Sequence, residues 1–334
     1  MRRLTTISVP MIAGILSVSP ALAEDKPVLT VYTYDSFVSE WGPGPAIEKA
    51  FEATCGCDLQ YVAPGDAAAL LSRVLLEGAT TKADVVLGLD TNLMAAAEAS
   101  GLFAPRPMDA TIFSLPVAWD DPTFVPFDWG YFAFVYDKTR LTDVPADFAA
   151  LGASDLKIVI QDPRSSSPGL GLLMWVKAAY GDKAADIWAG LKDNIVTVTP
   201  GWSEAYGLFL KGEADMVLSY TTSPAYHLIA ESDDTKAAAP FTEGHYLQIE
   251  VAAKVAGSAN GELADRFLAF VTSPDFQSII PETNWMYPAV TPPKGLPKGF
   301  ETLIQPAKAL ILPAAEAAAL RDEATEEWRA TLSQ

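Results

Sequence analysis

The sequence predicts an α/β protein of two lobes joined by two crossing strands, and three observations support this fold class. Residues 28–88 alternate three strand-like apolar runs with two helix-like runs, an order that favours a parallel sheet with right-handed crossovers. A second α/β unit begins at Lys157. The β-rich runs at residues 125–136 and 244–252 are long enough to pass from one lobe into the other.

In the first unit, strands are predicted at residues 28–34, 59–62 and 83–88, with helices at 43–51 and 70–76 between them. Polar side chains follow each strand. Ligands of open α/β sheets bind outside the carboxyl ends of the strands. We therefore expect these side chains along one sheet edge that faces a ligand: Tyr34, Asp66 and Asp90.

The N-terminal residues have the pattern of a secretory signal peptide. Arg2 and Arg3 precede an apolar run at residues 7–18 that is too short to span a bilayer, and Ala21-Leu22-Ala23 forms an A-x-A cleavage motif. We predict cleavage after Ala23. Residues 1–23 are then the signal peptide, residues 24–125 with 253–334 form lobe 1, and residues 126–252 form lobe 2.

The composition is that of a globular, strongly acidic protein. Half of the residues are hydrophobic, 19% are charged, and the formal net charge is −19. Removal of Arg2 and Arg3 with the signal peptide makes the chain still more acidic. An acidic surface repels nucleic acid and anionic membranes, so neither is an expected partner.

The chain has two cysteines, Cys55 and Cys57, on either side of Gly56. Export permits a disulfide between them; a bridge over one residue is strained, and Gly56 eases that strain. Two cysteines without a neighbouring histidine are too few for zinc. We predict a tight disulfide and no metal, although carboxylates alone leave an oxygen-ligated ion open at this point.

Catalytic motifs are weak, and we predict that the protein is not an enzyme. A Ser-His-Asp triad would need His227 or His245, and neither lies in a recognisable motif. The segment at residues 201–205 lacks the second glycine of a nucleophile elbow. The glycine-rich segment at residues 168–174 lacks the third glycine of a dinucleotide fingerprint.

The densest group of candidate binding residues lies at residues 196–227. A strand predicted at residues 216–218 ends in hydroxyl side chains and two tyrosines, where turn residues would suffice. Trp202 lies at the head of the preceding helix, and we expect it to face Tyr220 across a crevice at the sheet edge.

Two further patterns favour ligand binding. Ser166 and Ser167 precede a helix predicted to begin near Pro168, so hydroxyls and free N–H groups meet at a positive helix end that suits phosphate or carboxylate. An N-cap serine with spare loop serines is the alternative, and it stays open at this point. Five aromatic residues outside periodic core runs suit a flat cationic ring, since each face attracts a cation by roughly 0.5 to 2 kcal/mol: Tyr34, Trp202, Tyr220, Tyr226 and Trp285.

Four segments carry a family resemblance. G-W-S-E-A-Y-G-L-F-L-K-G-E-A-D and L-S-Y-T-T-S-P-A-Y-H, with V-Y-T-Y-D-S-F near the start and N-W-M-Y-P near the end, resemble the periplasmic thiamine-binding proteins of bacterial ABC importers. The resemblance implies a type II periplasmic binding protein fold and a periplasmic monomer. It also implies capture of thiamine, thiamine monophosphate and thiamine diphosphate between the lobes, without a cofactor, for delivery to an ABC permease in the inner membrane.

The resemblance also implies site residues. Asp66 would make polar contact with the ligand, Ser166 and Ser167 would hold phosphate, and the aromatic side chains would contact the rings. The family pattern has Asp-Gly where Ala67 follows Asp66 here, and alanine is less comfortable than glycine at positive φ. The residues carried over, with the further aromatic candidates, are Asp66, Ala67, Ser166, Ser167, Trp202, Tyr220, Thr221, Thr222, Ser223, Pro224, Tyr34, Tyr226 and Trp285.

Two alternatives remain at this point. A ferric-ion binder of the same fold would use a tyrosine pair with carboxylates, yet Tyr220 and Tyr226 are six residues apart and do not have the spacing of adjacent ligands. A secreted hydrolase with a carboxylate pair ranks last, since no isolated pair lies among aromatic residues in the sequence.

Overall fold

The computed structural model describes residues 26–106 and 113–332. The predicted signal peptide, residues 1–23, lies outside the described residues. Within the described ranges, every helix is either too short or too polar to cross a membrane.

The secondary structure alternates between strands and helices along most of the chain. The strands are β1 (Val28–Tyr32), β2 (Asp58–Val62), β3 (Val85–Asp90), β4 (Phe103–Ala104), β5 (Val125–Asp137), β6 (Ile158–Gln161), β7 (Ile195–Thr199), β8 (Met216–Tyr220), β9 (Lys236–Ala238), β10 (His245–Val255), β11 (Tyr287–Pro288) and β12 (Ala309–Leu310). The helices are α1 (Asp35–Val38), α2 (Gly44–Cys55), α3 (Ala67–Glu77), α4 (Met94–Ala99), α5 (Phe148–Gly152), α6 (Ser167–Tyr180), α7 (Ala184–Leu191), α8 (Trp202–Leu210), α9 (Pro224–Ala230), α10 (Gly261–Val271), α11 (Pro274–Gln277), α12 (Ile280–Thr283) and α13 (Ala314–Leu332).

One continuous sheet passes through both lobes in the strand order β2-β1-β3-β10-β5-β8-β6-β7. At one end, β1 is parallel to β2 and β3, and at the other, β6 is parallel to β7 and β8. Between these parallel groups, β10 and β5 run antiparallel to each other and to their outer neighbours. The structure confirms the prediction of two α/β lobes joined by two crossing strands.

The two faces of this sheet are covered differently. Successive strand residues point to opposite faces, so Val86 and Leu218 enter the largest apolar cluster, which runs through both lobes. Their neighbours Val85 and Val217 belong to two separate clusters, one in each lobe. One face therefore has a shared core, whereas on the other face the cores are divided.

The C-terminal helix α13 bridges the lobes on the shared-core face. It packs against α6 and α7 as well as against α4, although the predicted division places residues 253–334 wholly in lobe 1; the boundaries themselves stay a prediction. Lys177 of α6, whose side chain is 7% exposed, pairs with Glu327 at 2.8 Å and Glu323 at 3.2 Å on α13. These ion pairs hold the end of the chain against the second lobe.

Two segments that follow predicted strands are helical in the structure. Residues 35–37 form α1, because Phe37 is fully buried among aromatic side chains. The hydroxyl run after β8 is a single turn followed by α9, with Pro224 as the first helical residue, a position that proline favours. Cys55 and Cys57 are joined by a disulfide at the end of α2.

Replacing Glu327 should weaken the attachment of α13. We expect Glu327→Gln to lower the free energy of unfolding by about 1.5 to 3 kcal/mol, because a buried ammonium loses a charged hydrogen-bond partner. Glu326→Gln is the matched control, since Glu326 pairs with Arg329 and both side chains are more than half exposed; it should change stability by less than about 0.5 kcal/mol. Equal losses in urea denaturation would contradict the role assigned to Lys177.

Candidate ligand-binding site

A cleft of about 330 Å³ lies between the divided cores. Its walls come from both predicted lobes: the loop after β1, the start of α3 and the α12–β11 loop on one side, and α6, α8 and α9 on the other. Tyr220 at the end of β8 and Glu250 of β10 also line it. The carboxyl ends of parallel strands meet here, as ligand sites in open α/β sheets require.

A chain of hydrogen bonds crosses the cleft wall between β1 and β8. The Tyr34 hydroxyl donates to Glu250 Oε2 at 2.9 Å, and the Gln248 amide donates to Glu250 Oε1 at 3.0 Å. The Tyr220 hydroxyl donates to Gln248 Oε1 at 2.9 Å. Alternation along β10 puts Gln248 and Glu250 on the same face, so one crossing strand holds both tyrosines.

Gly88 of β3 provides the space in which the Tyr34 ring lies. Its φ is +102°, and a Cβ at this position would meet ring atoms of Tyr34 at 2.3 and 2.4 Å. Tyr34 is 6% exposed. Glycine is therefore required here both for its backbone conformation and for the close approach of the ring.

Asp66 is the N-cap of α3 and connects the two sides of the cleft. Its Oδ1 accepts from the backbone N–H of Ala67 at 2.8 Å, and its Oδ2 accepts from the Ser166 hydroxyl at 2.6 Å. Burial raises the pKa of Asp66, and these hydrogen bonds oppose the rise. Ala67 has a helical φ, since the positive φ of this loop falls on Gly65. Ala67, which stands where the family pattern has glycine, therefore causes no backbone strain.

Aromatic rings form both ends of the cleft. Trp202 stacks on Tyr206 with ring centroids 5.0 Å apart, and its indole N–H donates to Ser219 Oγ at 2.8 Å. Trp41 is 54% exposed, and its ring centroid lies 6.1 Å from that of Trp202. At the opposite end, Tyr226 and Trp285 meet edge to face at 5.3 Å.

Trp285 holds an uncommon backbone conformation for a residue with a side chain. Its φ is +56°, in the left-handed region where non-glycine residues cost energy and persist only when their surroundings impose them. The neighbouring Asn284 amide is fixed by Asp128 at 2.6 Å and by Tyr34 at 3.0 Å. This arrangement points the Trp285 ring into the cleft.

The cleft is acidic. Among the described residues that line it, Asp66, Glu250 and Glu282 are acidic and none is lysine or arginine. Asp90, the last residue of β3, and Asp128, near the start of β5, are buried on either side of β10. Walls of one charge sign concentrate ions of the opposite sign, and aromatic faces attract cations. The site is therefore suited to a flat, positively charged ligand.

Most of the aromatic and polar residues predicted for the site lie in the cleft wall. The cleft is lined by Tyr34, Asp66, Ser167, Trp202, Tyr220, Ser223, Tyr226 and Trp285. The other predicted residues lie behind the wall: Ala67, Ser166, Thr221, Thr222 and Pro224. The Ser166 hydroxyl is bonded to Asp66, and the Thr222 hydroxyl faces the Met286 sulfur at 3.6 Å.

Several lining residues were missed by sequence reasoning, and some of them had a signal. Glu250 shares one face of a crossing strand with Gln248, which is unusual for a buried strand. Asn284 and Met286 flank Trp285 in the N-W-M-Y-P segment, which is one of the four that carry the family resemblance. Trp41 and Tyr206 had no distinguishing pattern, because a loop tryptophan and a helix tyrosine at a core position are common.

The two histidines are structural in this fold. His227 is 1% exposed, and its ring nitrogens face the Tyr206 hydroxyl at 2.9 Å and Glu231 at 2.7 Å. Glu231 and Asp233 give it two carboxylate neighbours within 4.8 Å, but both ring nitrogens already have partners. His245 is buried, and burial lowers its pKa.

Two lobes, two crossing strands and a cleft lined from both sides define a type II periplasmic binding protein. The chain belongs to the bacterial extracellular solute-binding proteins, whose family model matches residues 43–283. It is 54% identical to the thiamine-binding periplasmic protein of Escherichia coli (strain K12), over 96% of this chain and 97% of that protein.

Solved structures agree with this assignment. A periplasmic thiamin binding protein superposes with a TM-score of 0.91 at 53% identity, covering 94% of this chain and 100% of that one. A ferric binding protein from Campylobacter jejuni has a TM-score of 0.76 at 19% identity, covering 91% and 99%. At that identity the second likeness concerns the fold alone.

The packing of Tyr34 on Gly88 can be tested with two glycine variants. Gly78→Ala should lower the free energy of unfolding by about 1 kcal/mol, because the φ of Gly78 is +56°. The space around its Cβ position is open, so no steric clash adds to this loss. Gly88→Ala should cost about 1 to 3 kcal/mol more, because it also displaces the Tyr34 ring. Thermal unfolding measures both. Similar losses for the two variants would mean that the ring is not held by Gly88.

Proposed function

We propose that this protein is the periplasmic solute-binding component of an ABC importer, and that it captures thiamine in the cleft between its lobes. Membership of the solute-binding family supports the transport role. The high identity to a thiamine-binding periplasmic protein over nearly the whole chain supports the ligand and the compartment. On this proposal the protein acts as a monomer, delivers its ligand to an inner-membrane permease and catalyses no reaction.

The observation that carries the proposal is an aromatic, acidic cleft in which none of the described lining residues is lysine or arginine. Thiamine has a permanently charged thiazolium ring and a planar aminopyrimidine with hydrogen-bond donors and acceptors. Trp202, Tyr220, Tyr226 and Trp285 offer ring faces and edges for such a ligand. Asp66 offers a partly buried carboxylate to the exocyclic amine or the ring cation, and a charged hydrogen bond of this kind is among the strong ones.

We extend the proposal to thiamine monophosphate and diphosphate. The first turn of α6 presents unpaired backbone N–H groups at a positive helix end, and Ser167 adds a hydroxyl in the cleft wall. The Ser166 hydroxyl is bonded to Asp66 in this structure, so we assign Ser166 to the positioning of Asp66 and Ser167 to the phosphate. Because the surrounding carboxylates oppose a phosphate, the thiamine moiety should supply most of the affinity.

A ferric-ion site is less well supported by the geometry. Tyr220 donates its hydroxyl to Gln248, whereas Tyr226 donates to Glu231 outside the cleft wall. The two hydroxyls therefore do not converge on one point.

Calorimetry with four ligands tests the proposed function. Thiamine, its monophosphate, its diphosphate and ferric ion would each be titrated into the mature protein. The proposal expects one thiamine per chain, with the phosphates also bound and no coloured ferric complex. Absence of thiamine binding, or a tyrosine-to-iron absorption band with tight ferric binding, would refute it.

Asp66→Asn should weaken thiamine binding about 10-fold to 150-fold, because a charged hydrogen bond is worth on the order of 1.5 to 3 kcal/mol. Asp155→Asn makes the same change of charge at an exposed position, and its effect should stay within about twofold, since solvent screens surface charges. Parental affinity in Asp66→Asn would remove Asp66 from the ligand contacts.

The two serines should separate the thiamine moiety from the phosphate. Ser167→Ala should weaken the phosphate esters about fivefold, the equivalent of one hydrogen bond of about 1 kcal/mol, and spare free thiamine. Ser166→Ala should weaken all three ligands alike, because it releases Asp66 from its hydroxyl partner. If Ser167→Ala affects free thiamine as strongly as its esters, the phosphate does not lie at the start of α6.

A further inference from the structure

Three carboxyl groups lie side by side on neighbouring strands at the base of the cleft. Glu250 of β10 is opposite Asp90 of β3 and also opposite Asp128 of β5 in the strand register. Directly opposed residues of antiparallel strands project to the same face at close range. The register of β10 shifts beside Glu250 in its pairing with β5, and such bulges redirect side chains next to functional sites.

The hydrogen bonds of this group leave two acceptor oxygens without a donor among the described residues, Asp90 Oδ2 and Asp128 Oδ1. Glu250 accepts from Tyr34 and Gln248, one donor on each oxygen. Asp128 Oδ2 accepts from the Asn284 amide at 2.6 Å. Asp128 Oδ1 is fully buried, and no N–H or alcohol O–H of the described residues reaches it. A buried acceptor without a donor is costly, but a proton on the neighbouring Glu250 carboxyl would supply one.

No basic side chain of the described residues forms an ion pair that would keep both groups ionised. None of the ion pairs formed within residues 26–106 and 113–332 includes Asp128 or Glu250. Burial raises the pKa of Asp128 to about 7 and raises that of Glu250 well above its usual range. The titratable groups that face the pair from the adjoining elements are Tyr34 after β1, Asp90 on β3 and Tyr220 on β8. Asp66, before α3, faces Tyr220.

We propose that Asp128 and Glu250 share one proton in the ligand-free protein, and that a cationic ligand bound against Glu250 expels it. The inference rests on the proposed function, since it takes the thiazolium ring of thiamine as the cation. Glu250 lines the cleft directly, whereas Asp128 is buried on the neighbouring strand β5. The pair is therefore the charge-selective element of the site.

The charge balance of this step is simple. Before binding, the proton satisfies Asp128 Oδ1 and halves the charge of the pair. On binding, the proton passes to solvent buffer and the positive charge of the ligand takes its place, with no bond of the ligand altered. A neutral analogue supplies no such charge, so it leaves the proton on the pair and binds less tightly.

Affinity for the cation should therefore depend on pH. Release of one proton makes affinity rise by up to about tenfold per pH unit wherever the free pair still holds its proton. Once the free pair has lost that proton, the dependence disappears. The neutral aminopyrimidine half of thiamine should show no such dependence, because it does not displace the proton.

Proton counting by calorimetry tests the inference on the unaltered protein. Thiamine is titrated at about pH 7.5, where the aminopyrimidine is unprotonated, in two buffers of different ionisation heat, and 4-amino-5-hydroxymethyl-2-methylpyrimidine serves as the neutral probe. We expect about one more proton released with thiamine than with the neutral probe, which corrects for exchange by the pyrimidine itself. Equal proton counts for the two probes would overturn the inference.

Variants and a ligand-free measurement complete the test. Glu250→Gln keeps the hydrogen-bonding shape and should abolish the extra proton, whereas Glu262→Gln, an exposed residue of α10, should retain it. In the ligand-free protein, a raised pKa in the folded state means that stability is lost as pH rises through that pKa. The parent should therefore lose stability relative to Glu250→Gln between the ordinary carboxyl pKa of about 4 and the raised pKa of the pair, which is about 7 for Asp128; parallel profiles would also overturn the inference.

The two possible failures are distinguishable. Thiamine that does not bind at all would refute the proposed function, and the ligand-free comparison would still decide whether the pair holds a proton. Thiamine that binds without extra proton release would leave the proposed function intact and refute the shared proton. If Glu250→Gln does not fold, Asp128→Asn takes its place in the ligand-free comparison.

Discussion

The antiparallel pairing of β5 with β10 is the interaction on which the rest of the structure depends. Both strands belong to the sheet of each lobe, and β10 lies between β3 of the first lobe and β5. On one face of the sheet, side chains of both strands belong to the apolar core that the two lobes share. On the other side β10 presents Glu250 to the cleft, with Gln248 hydrogen-bonded beside it. The division of the cores on that side is what makes space for a ligand.

The charge of the cleft narrows the range of ligands more than its volume does. Glu250 is buried and Asp66 is partly buried, and neither forms an ion pair with a described residue. Such carboxylates are costly unless a ligand or a proton supplies positive charge. Aromatic rings line both ends of the same space. A small planar cation compensates both features, whereas a multiply charged anion compensates neither, apart from the free N–H groups at the start of α6.

Contacts between the lobes are concentrated around the cleft. Asp66 accepts from Ser166, the backbone N–H of Ala69 donates to the carbonyl of Ser165 at 3.0 Å, and Trp41 approaches Trp202. The first two contacts join the start of α3 to the start of α6, and the third joins the segment before α2 to the start of α8. The lobes therefore touch each other across the site. The helix α13 joins the lobes on the opposite face and limits how they can separate.

The sequence by itself determined the alternation of strands and helices, both crossing strands and the aromatic segments of the site. It did so because hydrophobic periodicity and turn residues are local signals. Only the tertiary structure decided that Ser166 serves Asp66, that Trp41 joins the cleft, and that Glu250 lies against Asp128. These partners are 100 or more residues apart in most cases. Strand register and helix packing bring them together, and no local pattern records a register.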